Sequence, residues 1–220
     1  MRIEKYIEHT ALKPDTCIGD IKAVCKVAIE YKLPGVSVPP LYVKKAKICT
    51  AKTGINISTV IGYPFGYCAI EAKIAEIVMA IIDDVDEIKM VINLSAIKNN
   101  DWQFLANEIN TALPIIRNRG KKITVIFETS LLTAAEIISA CDMYGAAGVD
   151  FIQVDTGFIE NKLVIENLAL IRKNLAASIQ IKVGADIKNY TFAKELIKAG
   201  ANYFCCNNSL KLIAESLQKN

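Results

Sequence analysis

One repeated unit limits most strongly how this chain can fold: an amphipathic helical pattern ends in a glycine, and a short apolar strand follows. The glycines are Gly54, Gly120, Gly148 and Gly200. A glycine just past a helix readily adopts the left-handed backbone that ends it. Helical patterns lie between nearly all neighbouring strands. The strand candidates are HTALK (9–13), GVSV (35–38), ISTVIG (57–62), EIKMVIN (87–93), ITVIFET (123–129), FIQVDT (151–156), IQIKVGA (179–185) and YFCCN (203–207).

The alternation of strands and helices predicts parallel strands joined by right-handed crossovers. Eight such units in 220 residues are typical of a compact TIM (β/α)8 barrel. The structural alternative is a doubly wound open sheet. In that fold a glycine-rich turn typically follows the first strand, and HTALKPDT contains no glycine. No linker or charge run divides the chain, so we expect a single α/β domain over residues 1–220.

Polar side chains mark the starts of two helices. Thr133 with Glu136, in TAAE, fits a capping box, in which the two side chains satisfy free backbone N–H groups. Asp101 precedes the helical pattern WQFLANEINTALPII and is a typical N-cap. We therefore expect helices to begin just after Asp101 and Thr133.

Charge, hydropathy and cysteine usage exclude several classes of protein. The net charge is +3 and the lysines are spread along the helical patterns, so we expect no nucleic-acid partner. No apolar run reaches the ~18 residues of a membrane span, and MRIEKYIEHT does not have the pattern of a signal peptide. The seven cysteines form no C-x-x-C pair, which predicts free thiols in a reducing cytoplasm. His9 is the single histidine, so we expect no dedicated transition-metal site.

Ionisable residues lie on one face of several strand candidates. In EIKMVIN, Lys89 shares a face with Glu87 and Val91, and the apolar opposite face must meet the helices, so Lys89 points into the barrel. Chemistry in TIM barrels is located at the C-terminal ends of the strands. By the same alternation, the inside of the barrel mouth is predicted to hold Lys89, Lys182, Gln153, Asp155, Glu128 and Glu8.

This polar set can perform amine chemistry or can simply hold the barrel closed. Burying an unpaired charge is costly, so both signs are needed, and the structural alternative is a satisfied network that pairs Lys89 with Glu87, Asp155 or Asp186. Two lysines together with several carboxylates favour a functional site over a purely structural network. A lysine beside another cation loses its proton more easily and can form a Schiff base with a carbonyl, while a carboxylate shuttles protons.

Six motifs run along the chain: IEHTALKPD, TVIGYPFG, DEIKMVIN, VIFETSLLT, DFIQVDTGF and IKVGADIK. In order and approximate spacing they resemble the deoxyribose-phosphate aldolase family, and the resemblance covers nearly the whole chain. It implies a TIM-barrel class I aldolase that works without a metal. Such enzymes reversibly split 2-deoxyribose 5-phosphate into acetaldehyde and glyceraldehyde 3-phosphate through a lysine Schiff base.

The resemblance assigns roles to single positions, and several of these positions are changed. The family's sixth-strand motif is similar to V-K-T-S-T-G, and the place of its Schiff-base lysine is occupied by Gln153, whose amide cannot form an iminium. Lys182 matches the seventh-strand lysine that tunes the nucleophile. Lys89 stands where the family has a fourth-strand aspartate that relays protons, and Thr124 stands where the fifth strand usually has a lysine.

The phosphate-binding positions are changed as well. Ala185 and Asp186 replace paired glycines that let backbone N–H groups approach a phosphate, and an aspartate repels a dianion. The motif after the eighth strand, similar to G-T-S-S in the family, is CCNN over 205–208, whose asparagines can still donate hydrogen bonds. We expect the substrate-binding residues to be Glu128, Thr124, Asp186, Asn207 and Asn208.

Three functions remain open at this point. The first is an aldolase-type enzyme with a relocated nucleophile, in which Lys89 or Lys182 is activated by the other and Asp155 or Glu128 shuttles the proton. The second is a non-catalytic family member that binds a small carbonyl or sugar compound. The third is ordinary deoxyribose-phosphate aldolase activity, against which Gln153 argues. We expect an aldehyde or a sugar phosphate as the ligand and, by resemblance, a homodimer.

Overall fold

The structure is a computed structural model that describes residues 1–159, 165–184 and 186–218. Eight strands close into a barrel in chain order, and every neighbouring pair is parallel, including β1 with β8. The predicted TIM barrel is therefore confirmed, and the alternative of an open doubly wound sheet is wrong. The strands are β1 (Ile7–Thr10), β2 (Gly35–Val38), β3 (Asn56–Ile61), β4 (Glu87–Val91), β5 (Lys122–Phe127), β6 (Phe151–Val154), β7 (Gln180–Val183) and β8 (Tyr203–Cys206).

Helices cover the outside of this barrel. Both predicted N-caps are confirmed: the carboxylate of Asp101 accepts a hydrogen bond from the backbone N–H of Phe104 at 3.0 Å, and the hydroxyl of Thr133 accepts one from Glu136 at 3.3 Å. No helix among the described residues is long and apolar enough to cross a membrane. The α-helices in the described ranges are α1 (Ile18–Tyr31), α2 (Val43–Cys49), α3 (Ile70–Ile82), α4 (Leu94–Lys98), α5 (Trp102–Arg117), α6 (Ala134–Ala147), α7 (Ile165–Asn174), α8 (Tyr190–Ala199) and α9 (Ser209–Gln218).

The four glycines of the repeat divide into two groups. Gly148 and Gly200 are the left-handed C-caps of α6 and α8, as predicted. Gly54 and Gly120 also have positive φ, 75° and 65°, but their helices end earlier, at Cys49 and Arg117. They therefore belong to turns between helix and strand and do not cap the helices.

Seven of the eight predicted strands continue beyond the observed strands at the C-terminal end, whereas the second, Gly35–Val38, was predicted with its observed bounds. The largest error is in the first strand, which was expected at 9–13 and covers Ile7–Thr10. Its bounds depend on its partners, because Ile7 pairs with Phe204 of β8 and Thr10 with Ser37 of β2. Most of the residues that continue past the strands form the loops of the barrel mouth. The last residue of the seventh candidate, Ala185, lies outside the described residues.

The two faces of the strands have different chemistry. Outward-facing residues such as Ile88, Ile152 and Ile181 are fully buried beneath the helices and form the apolar core. Inward-facing residues at alternate positions are largely polar although they are also buried. This inward set includes Glu8, Ser37, Ser58, Glu87, Lys89, Thr124, Gln153 and Lys182. Polar side chains therefore fill the middle of the barrel, where they must satisfy one another.

Candidate active site

A cavity of about 460 Å³ opens at the C-terminal ends of the strands. We call it the mouth cavity. In a parallel barrel this end is where loops and strand ends converge, and it is the usual place for chemistry. The residues that line it are Thr10, Leu12, Lys13, Pro14, Val60, Tyr63, Lys89, Gln153, Thr156, Gly157, Phe158, Asp186, Cys205, Cys206 and Asn207.

Beneath the mouth cavity, four buried charges form a chain of ion pairs across the barrel. The ammonium of Lys89 lies 2.6 Å from Oε1 of Glu8. The other oxygen of Glu8 lies 2.9 Å from the ammonium of Lys182, which in turn lies 2.6 Å from Glu87. Two positive and two negative charges balance one another. The network that was the structural alternative for these residues is therefore present, with Glu8 as the partner of Lys89 instead of Glu87, Asp155 or Asp186.

Lys89 is the lysine of this network that reaches the mouth cavity. Its ammonium also donates a hydrogen bond to the sulfur of Cys205 at 3.2 Å. Burial alone would lower the pKa of Lys89, but the sulfur of Cys205 and the carboxylate of Glu8 outweigh it, and the pKa lies above its usual value. Burial raises the pKa of the Cys205 thiol to about 12, so the thiol is protonated at neutral pH. With the thiol neutral, the carboxylate of Glu8 is the charge that keeps Lys89 a charged ammonium at neutral pH.

Lys182 faces the opposite end of the barrel. It lines a second cavity of about 170 Å³ at the strand starts, which we call the lower cavity, together with Glu87, Phe151 and Tyr203. Its ammonium lies 4.3 Å from the centroid of the Phe151 ring, within range of a cation–π contact. The expectation that both lysines project into the mouth thus holds for Lys89 and fails for Lys182.

Lys182 does lower the pKa of Lys89, as expected, but larger opposing effects leave that pKa above its usual value. Burial would lower the pKa of Lys182, but the carboxylates of Glu8 and Glu87 raise it well above its usual range. In the same network, burial would raise the pKa of Glu8, but the two lysines hold it well below its usual range. Attraction to the carboxylates exceeds repulsion between the two ammonium groups, because each lysine lies within 3 Å of a carboxylate oxygen.

Gln153 lies in the wall of the mouth cavity. Its amide N–H donates to the backbone carbonyl of Asp155 at 3.0 Å, while its side-chain oxygen is buried without a hydrogen-bond partner among the described residues. Gly184 of the neighbouring loop permits this position, because a Cβ there would overlap the Gln153 amide and the Asp155 carbonyl. The position that the family resemblance gives to the nucleophile therefore holds an amide that faces the site.

The two carboxylates proposed as proton shuttles are used differently. Asp155, with a φ of 62°, accepts hydrogen bonds from the N–H and the hydroxyl of Thr129 at 2.7 and 2.8 Å. One oxygen of Glu128 accepts from the N–H and the hydroxyl of Thr156 at 3.0 and 2.7 Å, and the other is buried without a hydrogen-bond partner in the described ranges. Burial raises the pKa of both carboxyl groups. Asp155 thus holds a turn, whereas Glu128 keeps one oxygen free.

The remaining candidates lie at two different depths. Thr124 is fully buried and donates a hydrogen bond to Glu87 at 2.6 Å, well below the mouth. Asp186 and Asn207 line the mouth cavity. Asn208 lies behind them and donates to the carboxylate of Asp186 at 3.0 Å and to the carbonyl of Ile187 at 2.9 Å. The structure thus brings Asp186 and Asn207 to the cavity that Lys89 and Gln153 line.

Sequence reasoning missed the contact between Cys205 and Lys89, and it paired Glu87 with Lys89, whereas Glu87 pairs with Lys182. Cys205 shares the inward face of β8 with Tyr203, and Glu87 shares the inward face of β4 with Lys89. The period-two pattern of these strands therefore contained the signal. Within the described ranges, no three His, Cys, Asp or Glu side chains are grouped so that they could hold a metal ion.

The chain is similar in sequence and in fold to known aldolases. A scan against protein-family models gives no match. The deoxyribose-phosphate aldolase of Thermococcus kodakarensis is 36% identical over 213 residues, which cover 96% of this chain and 95% of that protein. The deoxyribose-phosphate aldolase of Metamycoplasma hominis is 36% identical over 210 residues, 96% of each chain. The solved structure of QR15, an aldolase, superposes with a TM-score of 0.90 at 29% identity and covers 99% of this chain and 96% of its own.

Proposed function

The chain belongs to the deoxyribose-phosphate aldolase family, and we propose that it is an aldolase-type enzyme in which Lys89 forms the Schiff base with a small aldehyde or sugar phosphate. One observation carries the proposal. Lys89 lines the mouth cavity together with Gln153, and Gln153 occupies the position that the family resemblance gives to the nucleophile. Lys182, the other buried lysine of the network, faces the lower cavity.

The first chemical step is the loss of a proton from Lys89. Oε1 of Glu8, at 2.6 Å, opposes this loss, because despite its burial the two lysines hold the pKa of Glu8 well below its usual range. The proton therefore leaves to water in the mouth cavity. The free amine then attacks the carbonyl carbon of the substrate to give a carbinolamine. The hydroxyl of the carbinolamine takes up a proton from water and leaves as water, which gives an iminium that can withdraw electrons from the neighbouring carbon–carbon bond. Gln153 cannot take this part, because a primary amide does not form an iminium.

The proton that moves on and off the carbon skeleton needs a second group. We assign it to Glu128, because one of its oxygens has no hydrogen-bond partner in the described part of the chain and burial raises its pKa. Its charge also contributes to the high pKa of Tyr63, about 12, for which burial is the larger cause, and Tyr63 lines the mouth cavity. The carboxylate of Asp155 is less suited, since Thr129 holds it.

This arrangement predicts that the family reaction is altered or slow at neutral pH. The ion pair with Glu8 keeps Lys89 charged, and only the neutral amine attacks a carbonyl. Asp186 at the mouth also opposes a phosphate dianion.

A second candidate function is a non-catalytic member of the family that binds a carbonyl or sugar compound. The observation in its favour is the closed and neutral network of Lys89, Glu8, Lys182 and Glu87, in which every charge has a partner. Such a network can serve only to hold the strands together.

Reductive trapping separates the two functions. The protein is incubated with acetaldehyde or a panel of aldehydes, borohydride is added, and any adduct is mapped by mass spectrometry while the products of retro-aldol cleavage are measured. We expect an adduct on Lys89 with turnover, abolished in Lys89→Met. Lys13→Met is the matched control, because Lys13 lines the same cavity but is exposed. If no buried lysine is trapped and no product forms, the enzyme proposal fails and the binding function remains.

We also propose that the protein works in the cytoplasm as a homodimer. Its seven cysteines are all free thiols. The outer face of α3 exposes Met79 and Ile82, beside a surface groove that contains lysines of α2 and the aspartates 83, 84 and 86. Exposed apolar side chains beside a groove with both signs of charge suit a twofold interface, in which the same patch meets its own copy.

A further inference from the structure

Four aromatic side chains form a continuous group at the edge of the mouth cavity. We call this group, Tyr63, Phe65, Tyr67 and Phe158, the aromatic rim. Phe65 stacks on Tyr67 with ring centroids 5.5 Å apart and meets Phe158 edge to face at 5.8 Å. Phe158 meets Tyr63 edge to face at 6.2 Å. Tyr63 and Phe158 also line the cavity, so the rim is continuous with the site.

Much of the rim is exposed although it is apolar. The exposed fractions are 44% for Phe65, 70% for Tyr67 and 43% for Phe158. Exposed aromatic groups that adjoin a cavity usually mark a surface that a ligand covers. The rim therefore offers flat, apolar area next to the reactive amine of Lys89.

The loop after β3 holds the rim in place. Gly66 has a φ of 70°, and a Cβ at this position would overlap the backbone carbonyl of Ile92 after β4. The N–H of Gly66 donates to the carbonyl of Gly62 at 2.8 Å, which closes the turn. On the other side, the hydroxyl of Tyr63 donates to the carbonyl of Thr156 at 3.3 Å. A rim built on such a turn is arranged before a ligand arrives.

The same mouth is poorly suited to an anion. Both amide hydrogens of Asn208 are used within the protein, on Asp186 and on Ile187. The carboxylate of Asp186 lines the cavity, and the charge of Lys89 is already balanced by Glu8. The other lysine of the lining, Lys13, is exposed, so water screens its charge. A phosphate group placed here would meet a carboxylate and lose its hydration without full compensation.

We propose that the mouth cavity selects an uncharged aldehyde that carries an aromatic or similarly apolar group, which packs on the aromatic rim, over a phosphorylated aldehyde. The proposal rests on the proposed function of Lys89, because it names the substrate class for that site. It follows from two independent features, the exposed rim beside the amine and the carboxylate opposite an incoming phosphate.

The first experiment compares trapping rates for benzaldehyde, glyceraldehyde and glyceraldehyde 3-phosphate. Each aldehyde is tested with the wild type and with Phe65→Ala and Phe158→Ala, and the ratio of variant to wild type cancels the intrinsic reactivity of the aldehyde. An aromatic contact corresponds to a change of about three- to tenfold. We expect that loss for benzaldehyde only. Leu217→Ala is the control, since Leu217 is an exposed apolar residue near the C-terminal end of α9 and does not belong to the aromatic rim.

The isosteric variant Asp186→Asn tests the second feature. Removing the charge should increase trapping of glyceraldehyde 3-phosphate several-fold relative to trapping of benzaldehyde. The proposal is overturned if the rim variants lose trapping equally for all three aldehydes. It is also overturned if the wild type traps glyceraldehyde 3-phosphate faster than both other aldehydes.

A binding experiment separates failure of this inference from failure of the aldolase proposal. Binding of benzyl alcohol and of glycerol 3-phosphate is measured by saturation-transfer NMR, which needs no reactive amine. Benzyl alcohol should bind to the wild type and bind several-fold more weakly to Phe65→Ala, even if Lys89 is never trapped. Absence of benzyl alcohol binding, or stronger binding of glycerol 3-phosphate, contradicts the selection of apolar aldehydes whatever the trapping shows.

Discussion

The carboxylate of Glu8 on β1 lies between the two buried lysines, 2.6 Å from Lys89 of β4 and 2.9 Å from Lys182 of β7. It links three strands that are far apart in the chain. It also determines the charge state of the amine that faces the mouth cavity. The stability of the barrel and the reactivity of the site therefore depend on the same side chain.

Glu8→Gln should destabilise the protein by about 3–5 kcal/mol, because two buried ammonium groups lose a shared carboxylate and only Glu87 remains. The measurement is the free energy of unfolding in urea. Asp84→Asn is the matched control, since it removes two ion pairs of a residue whose side chain is 69% exposed and should cost about 0–1 kcal/mol. Equal losses of unfolding free energy in both variants would show that the buried ion pairs stabilise the protein no more than exposed ones.

Trapping of an aldehyde on Lys89 should accelerate with pH. The reactive form is the neutral amine, and the pKa of Lys89 lies above its usual value, so the reactive fraction grows about tenfold per pH unit up to roughly pH 10. In Glu8→Gln the pKa should fall, and the whole profile should shift to lower pH. The check is the initial rate of adduct formation between pH 6 and 10. A flat profile, or an unshifted one in the variant, contradicts the role of Glu8.

Gln153→Lys should restore little cleavage of 2-deoxyribose 5-phosphate by itself. The new amine would share the cavity with the ammonium of Lys89, and the aspartate that the family has at position 89 would still be missing. The double variant with Lys89→Asp supplies that carboxylate and should be at least ten times faster than Gln153→Lys alone. Release of acetaldehyde is the measurement, and Gln153→Met with Lys89→Asp is the control without an amine. Full recovery in the single variant would show that an aspartate at position 89 is not needed.

Ile82→Glu should convert the proposed homodimer into a monomer, because a charge on the outer face of α3 would be buried at the interface. Light scattering coupled to size exclusion measures the mass. Leu217→Glu is the control, because Ile82 and Leu217 are both 68% exposed. A wild type that is already monomeric at micromolar concentration, or a mass that is unchanged by Ile82→Glu, rules out this interface.

The sequence by itself predicted the barrel and the inward direction of its polar residues. Strand and helix patterns alternate with periods of two and 3.6, and such local periods depend only on backbone geometry. Lys89 and Gln153 were assigned to the mouth on this basis, and both line it. The ends of the strands were less accurate, because pairing with neighbours decides where β1 stops.

Only the tertiary structure decided how these polar residues are paired. Lys182 and Glu8 are 174 positions apart in the chain, and their contact exists because the barrel closes β8 onto β1. A long side chain can turn towards either end of a barrel, and its oppositely charged neighbours decide which. Lys182 therefore points to the lower cavity and Lys89 to the mouth, although both lie on the inward face of a strand. The sequence determined which residues face inward, and the closed barrel determined which charges meet.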